Sequence, residues 1–66
     1  MDEVRFPDVT VRLVGESGNA FVIMGKVISA LKRAGHADAV DEYTAEAESG
    51  DYDNLLTVTM RWVNVE

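Results

Sequence analysis

From Asp8 to Val14 the chain reads DVTVRLV, with Val9, Val11 and Leu13 alternating with Thr10, Arg12 and Val14. Period-two alternation rich in β-branched residues predicts a strand with one covered face. Pro7, just ahead of it, suits the beginning of a strand better than its middle, because proline cannot donate to a ladder. Gly15-Glu16-Ser17-Gly18 then predicts a turn, and from about Asn19 the period changes. Ala20, Met24, Val27, Leu31 and Ala34 recur at helical spacing as one apolar stripe, which Phe21, Ile23 and Ile28 widen. Ser17 or Asn19 is placed to cap this helix. Gly35 is placed to end it in a left-handed conformation, after Lys32 and Arg33 complement its negative end.

Ala37 to Ser49 again predicts helix, with a thinner stripe of Ala37, Val40, Tyr43 or Thr44, and Ala47. Asp38 is its expected cap and Gly50 its expected stop. Asp51 could cap a short turn through Leu55. In the last segment, Val58, Met60 and Trp62 alternate with Thr59, Arg61 and Val63, which predicts a strand from about Thr57 to Val65. A helix through Trp62 stays open, because Leu55, Val58 or Thr59, and Trp62 also share a helical face. The expected fold is a small α+β domain of order β-α-α-β. A two-stranded sheet has two helices packed on one side, with a partly helical last segment as the alternative.

Size and charge narrow the function. The 66 residues predict one domain, 1–66, near the lower limit for a chain without staples, and it contains no cysteine. Neither a disulfide nor a thiolate zinc site can supplement so small a core. The start Met1-Asp2-Glu3-Val4-Arg5 lacks a basic stretch leading into an apolar run. The longest apolar run, Ala20 to Met24, is far short of the ~20 residues that span a bilayer. A soluble, cytoplasmic chain with no membrane partner is expected. The net charge is −6, and between His36 and Asp53 lie seven acids with no lysine or arginine. Such an imbalance disfavours nonspecific attraction to nucleic acid or anionic lipid. It suits a solubilising face or one that docks a basic partner.

Candidate chemistry is sparse. GESGNAFVIMGK resembles a phosphate-binding loop, but from Gly15 the second glycine position holds Ala20, and Val27 stands where the magnesium-binding hydroxyl belongs. Gly25 and Lys26 also fall in mid-helix, where amides are already bonded. Gly25 costs the helix about 1 kcal/mol relative to alanine. Close approach by another element would offset that cost, or else Gly25 lines a ligand or partner contact. Asp51-Tyr52-Asp53-Asn54 opens like a calcium loop, yet Leu56 replaces its glycine and Trp62 its closing glutamate. His36 is the only histidine. With no partner cysteine or serine context for nucleophilic catalysis, no catalytic residue, metal ligand or cofactor is assigned.

GNAFVIMGKVISALKRAG, followed by the acidic stretch and SGDYDNLLTVTMRWV, resembles a family of small bacterial and phage-associated hypothetical proteins. Gly18-Asn19-Ala20-Phe21 and Ser49-Gly50-Asp51-Tyr52-Asp53 are the hallmarks, and the likeness covers nearly the whole chain. It implies a mobile-element context and a more helical Leu55–Trp62 segment, and it transfers no activity, cofactor or catalytic residue.

The expectation is therefore a non-enzymatic protein-interaction module with a protein partner and a tendency to homodimerise through exposed sheet edges. Asp41, Glu42, Glu46, Tyr52 and Trp62 are the candidate contacts, although Trp62 could equally anchor the core. The alternatives are a nucleic-acid-associated regulator using Lys26, Lys32 and Arg33, or an acidic inhibitor of a nucleic-acid-binding protein.

Overall fold

The structure, a computed structural model, describes residues 4–13 and 19–66. Strand β1 (Phe6–Val11) leads to helix α1 (Ala20–Arg33). A 3-10 turn (Ala37–Ala39) precedes α2 (Val40–Ala47), and α3 (Tyr52–Trp62) runs directly into β2 (Val63–Val65). The two strands form a parallel sheet. This is a small α+β fold, as the sequence predicts, but with three α-helices and a much shorter second strand. The turn expected at Gly15 to Gly18, and Ser17 as an alternative cap, lie outside the described residues.

Val9 and Val11 are buried while Asp8, Thr10 and Arg12 are exposed, so β1 has the one covered face that its alternation predicts. The ladder pairs Phe6 with Val63, Thr10 with Asn64 and Val11 with Val65, with an irregularity between Phe6 and Thr10. Pro7 sits at that break, where a missing donor does least harm, and its carbonyl accepts from Asn64 Nδ2 at 2.8 Å. Beyond the strand, Leu13 N donates to Glu66 O at 2.8 Å, and Glu66 N donates to Val11 O at 2.9 Å.

Helix α1 begins where its capping chemistry says. Asn19 Oδ1 accepts from the Phe21 amide at 2.9 Å. Gly35 follows the helix at φ 88°, the left-handed conformation that glycine adopts without a Cβ penalty. Ile23, Met24, Val27 and Leu31 make its buried face. Phe21, expected in that stripe, is 82% exposed. It lies beyond the arc that these four residues define, and no described element covers it.

Two further expectations change. The helix expected from Ala37 to Ser49 is broken, since Asp38 belongs to the 3-10 turn and α2, starting at Val40, has no side-chain cap. The strand expected from about Thr57 is helix as far as Trp62, the alternative that the shared face of Leu55, Val58 or Thr59, and Trp62 left open. Leu55, Val58, Thr59 and Trp62 are its buried residues, one helical face, while Met60 is 59% exposed. A strand would have placed Met60 beside Val58 and Trp62. Burying the helical face covers all four inward residues against α1 and α2, which outweighs the weak β preference of Thr57, Val58 and Thr59.

Trp62 lies in the core at 2% exposure, which corrects its assignment as a surface contact. Its ring meets Tyr43 edge-on at 5.4 Å and Phe6 at 5.5 Å, and Arg5 Cζ lies 4.2 Å from its centroid. Beside it, the buried Tyr43 hydroxyl hydrogen-bonds Thr59 Oγ1 at 2.7 Å, so the polar atoms of both residues are satisfied. Burial pushes the Tyr43 phenol above its ordinary value, with the Thr59 hydrogen bond opposing in part.

Candidate functional site

The short turn between α2 and α3 is held by its own side chains. Asp51 Oδ1 accepts from the Asn54 amide at 3.0 Å and caps α3. Asn54 Nδ2 donates back to Glu46 O at 3.1 Å and lies 3.3 Å from Ser49 Oγ. Ser49 Oγ in turn donates to Glu46 O at 2.6 Å. Gly50 is required by this packing, because a Cβ there would come within 2.8 Å of Asn54 Cβ. The bonds fix Glu48, Asp51 and Tyr52 on one side of the domain.

Opposite them stands the first turn of α1. Between the two runs an open groove of about 310 Å³. Met24, Ala47 and Leu55 contribute its apolar floor, Phe21 and Tyr52 its aromatic rim, and Glu48 and Asp51 its charge. Tyr52 is 38% exposed. Two accessible aromatic rings beside an open apolar hollow make a surface that can accept an apolar side chain, and the carboxylates favour a cation next to it.

The predicted acidic contacts do not act as one patch. Asp41, Glu42 and Glu46 are all exposed, but the Arg5 guanidinium binds both oxygens of Glu42, with Nη2 3.1 Å from Oε1. This bond holds the Glu42 carboxyl below its ordinary value and the Arg5 guanidinium above its own. Since Arg5 also covers the Trp62 ring, Glu42 ties the start of β1 to α2 and is committed to the fold. Tyr52 is the one predicted contact that lines the apolar groove.

His36 lies between β1 and α1's end, with Nε2 3.0 Å from Asp8 Oδ2 and its ring 4.4 Å from that of Phe6. The hydrogen bond to His36 lowers the Asp8 carboxyl from its ordinary value. Among the described residues no three His, Asp or Glu side chains are placed together to hold a metal ion. Among the same residues no helix is long and apolar enough to cross a membrane.

The alternative basic set is divided. Lys26 and Arg33 line a second groove, of about 580 Å³, between β1 and α1, joined there by Arg12, whereas Lys32 does not line it. Gly25 opens onto this groove, and a Cβ built on it meets nothing within 4 Å. The close approach expected to explain Gly25 is therefore absent among the described residues. Phe21, which the periodicity placed in the buried stripe, and Arg12 are surface residues that the sequence reading did not single out as site candidates. Their signals were present: Phe21 lies off the main helical arc, and Arg12 is on the polar face of β1.

Protein-family models, curated proteins and solved structures were compared with the chain. None matches.

Proposed function

We propose that the chain is a non-enzymatic protein-interaction module that captures a partner at the groove between the first turn of α1 and the α2–α3 turn. The observation that carries this reading is Phe21, 82% exposed at the rim of an open apolar groove, in the helix turn that Asn19 caps. Leaving a phenylalanine in water forgoes about 2 kcal/mol of burial, which a bound partner would recover. Tyr52 supplies the facing ring, and interfaces draw most of their energy from a few such aromatics.

Charge selects the partner's chemistry. Glu48 and Asp51 line the groove, and the chain as a whole carries −6. A segment with an apolar anchor flanked by lysine or arginine suits both features, and long-range attraction would speed its arrival. A basic nucleic-acid-binding protein is one such partner, so the acidic-inhibitor reading is a special case of this one. The resemblance to phage-associated proteins supports a mobile-element context for that pairing.

Selection from a displayed random-peptide library on the purified protein tests the proposal. Enriched sequences should share an apolar residue flanked by basic ones, elute with salt, and lose binding to the Phe21→Asp variant. Helical circular dichroism should be unchanged in that variant, since the side chain is outside the core. Enrichment that survives Phe21→Asp would refute the assignment of the groove.

A further inference from the structure

The domain carries a second open surface on another side of α1, and its chemistry is the opposite of the first. Strand β1 is hydrogen-bonded to β2 along one edge only, and among the described residues no strand covers its other edge. The direction of the free groups can be read from the ladder. Val11 O and Leu13 N both bond Glu66, so the peptide groups of Arg12 between them face away from β2. Consistent with this, Arg12 O accepts a hydrogen bond from Lys26 Nζ of α1 at 3.1 Å.

Along that edge runs a trough. The 580 Å³ groove and a neighbouring hollow of about 280 Å³ share Thr10, Ala30 and Arg33, so together they follow β1 from Arg12 to Asp8. The α1 wall is low, because Gly25, Ser29 and Ala30 carry little or no side chain. Gly25 weakens the helix, and nothing within 4 Å requires a glycine there. A backbone laid against α1 would supply the missing reason.

Arg12 and Arg33 both line the trough, and neither makes a salt bridge with a described residue. Among the described residues, Arg12, Lys26 and Arg33 line the trough together with the carboxylate of Asp8. A second copy docked edge to edge would set these cations against their own images, which like-charge repulsion opposes. Nucleic acid would meet no aromatic ring for its bases among the described lining residues.

We propose that this trough accepts an extended acidic segment of a partner protein, which adds to β1 as a third strand. The incoming backbone pairs with the free edge at Arg12, and its outward carboxylates meet Arg12 and Arg33. In the unbound protein Lys26 donates to Arg12 O and so covers the edge, a common guard against indiscriminate strand pairing. With an acidic groove on one side of α1 and this trough on the other, the domain would join two partners of opposite charge. The trough proposal does not depend on the acidic groove.

The test uses a fluorescent peptide of alternating valine and glutamate, with a lysine-for-glutamate peptide and a glutamate peptide interrupted by proline as controls. The valine-glutamate peptide should bind at low salt, and the Arg12 amide should become protected from hydrogen exchange. The Arg12→Glu/Arg33→Glu variant should bind it about tenfold more weakly and should prefer the lysine peptide. Gly25→Leu should block both peptides while the fold persists, since leucine favours helix more than glycine does. Equal binding of the proline-interrupted peptide would overturn strand addition, as would no binding of the acidic peptide at low salt. Two other results also overturn it: binding of a DNA oligonucleotide through the same arginines, or concentration-dependent dimerisation abolished by Gly25→Leu.

Discussion

Replacing Gly25 by alanine should make the protein more stable. Gly25 lies within α1, and a Cβ built there meets nothing within 4 Å, so no steric cost offsets the gain. Alanine is favoured over glycine in a helix interior by about 1 kcal/mol, and measured gains at compatible sites run roughly 0.4–1 kcal/mol. Much of the effect comes from the unfolded chain, which has fewer conformations to lose. For a domain of this size each kcal/mol moves the midpoint by about 4–8 °C, so a rise of about 2–8 °C is expected. Urea denaturation followed by circular dichroism and by Trp62 fluorescence measures it, with the slope unchanged. Gly35→Ala is the matched control. It also has open space around its Cβ, but its φ of 88° is left-handed, so the same change should destabilise by about 1–2 kcal/mol. If Gly25→Ala were neutral or destabilising, the space around Gly25 would have to be occupied in solution, and the reasoning from an open trough would fail.

Trp62→Ala should cost about 3–5 kcal/mol, close to everything so small a core supplies, and should leave the chain unfolded at room temperature. Met60→Lys, two residues away, should change stability by no more than roughly 0.5 kcal/mol; a large loss there would restore the strand reading of this segment. Tyr43→Phe strands the Thr59 hydroxyl in the core and should cost about 1–3 kcal/mol, much of which a second change, Thr59→Val, should return in a double-mutant cycle. The carboxyls of Glu42 and Asp8 are lowered in the folded protein, so their hydrogen bonds support the fold at neutral pH and are lost as pH falls below the ordinary values of 4.5 and 3.8. The thermal midpoint should therefore decline below about pH 4.5. Glu42→Gln should flatten part of that decline, and an unaltered acid profile would show that the Arg5 pair does not support the fold.

Local chemistry was the legible part of this chain. The Asn19 and Asp51 caps and the left-handed Gly35 depend on atoms only a few residues apart, and the alternation of β1 marks which of its faces can be covered. Tertiary structure decided what local order leaves balanced. Residues 57–62 fit a strand or a helix almost equally by pattern, and the helix won because its inward face meets Tyr43 and the rest of the core. The same burial took Trp62 from the surface, and tertiary packing brought the exposed Glu42 to Arg5, 37 residues away. The two open grooves arise in the same way, because Phe21 with Tyr52, and Arg12 with Arg33, become neighbours only when distant segments pack. The capping bonds of Asn19 and Asp51 each close within one turn of the helix they start. A residue becomes core, rim or free edge only when some other element does or does not cover it.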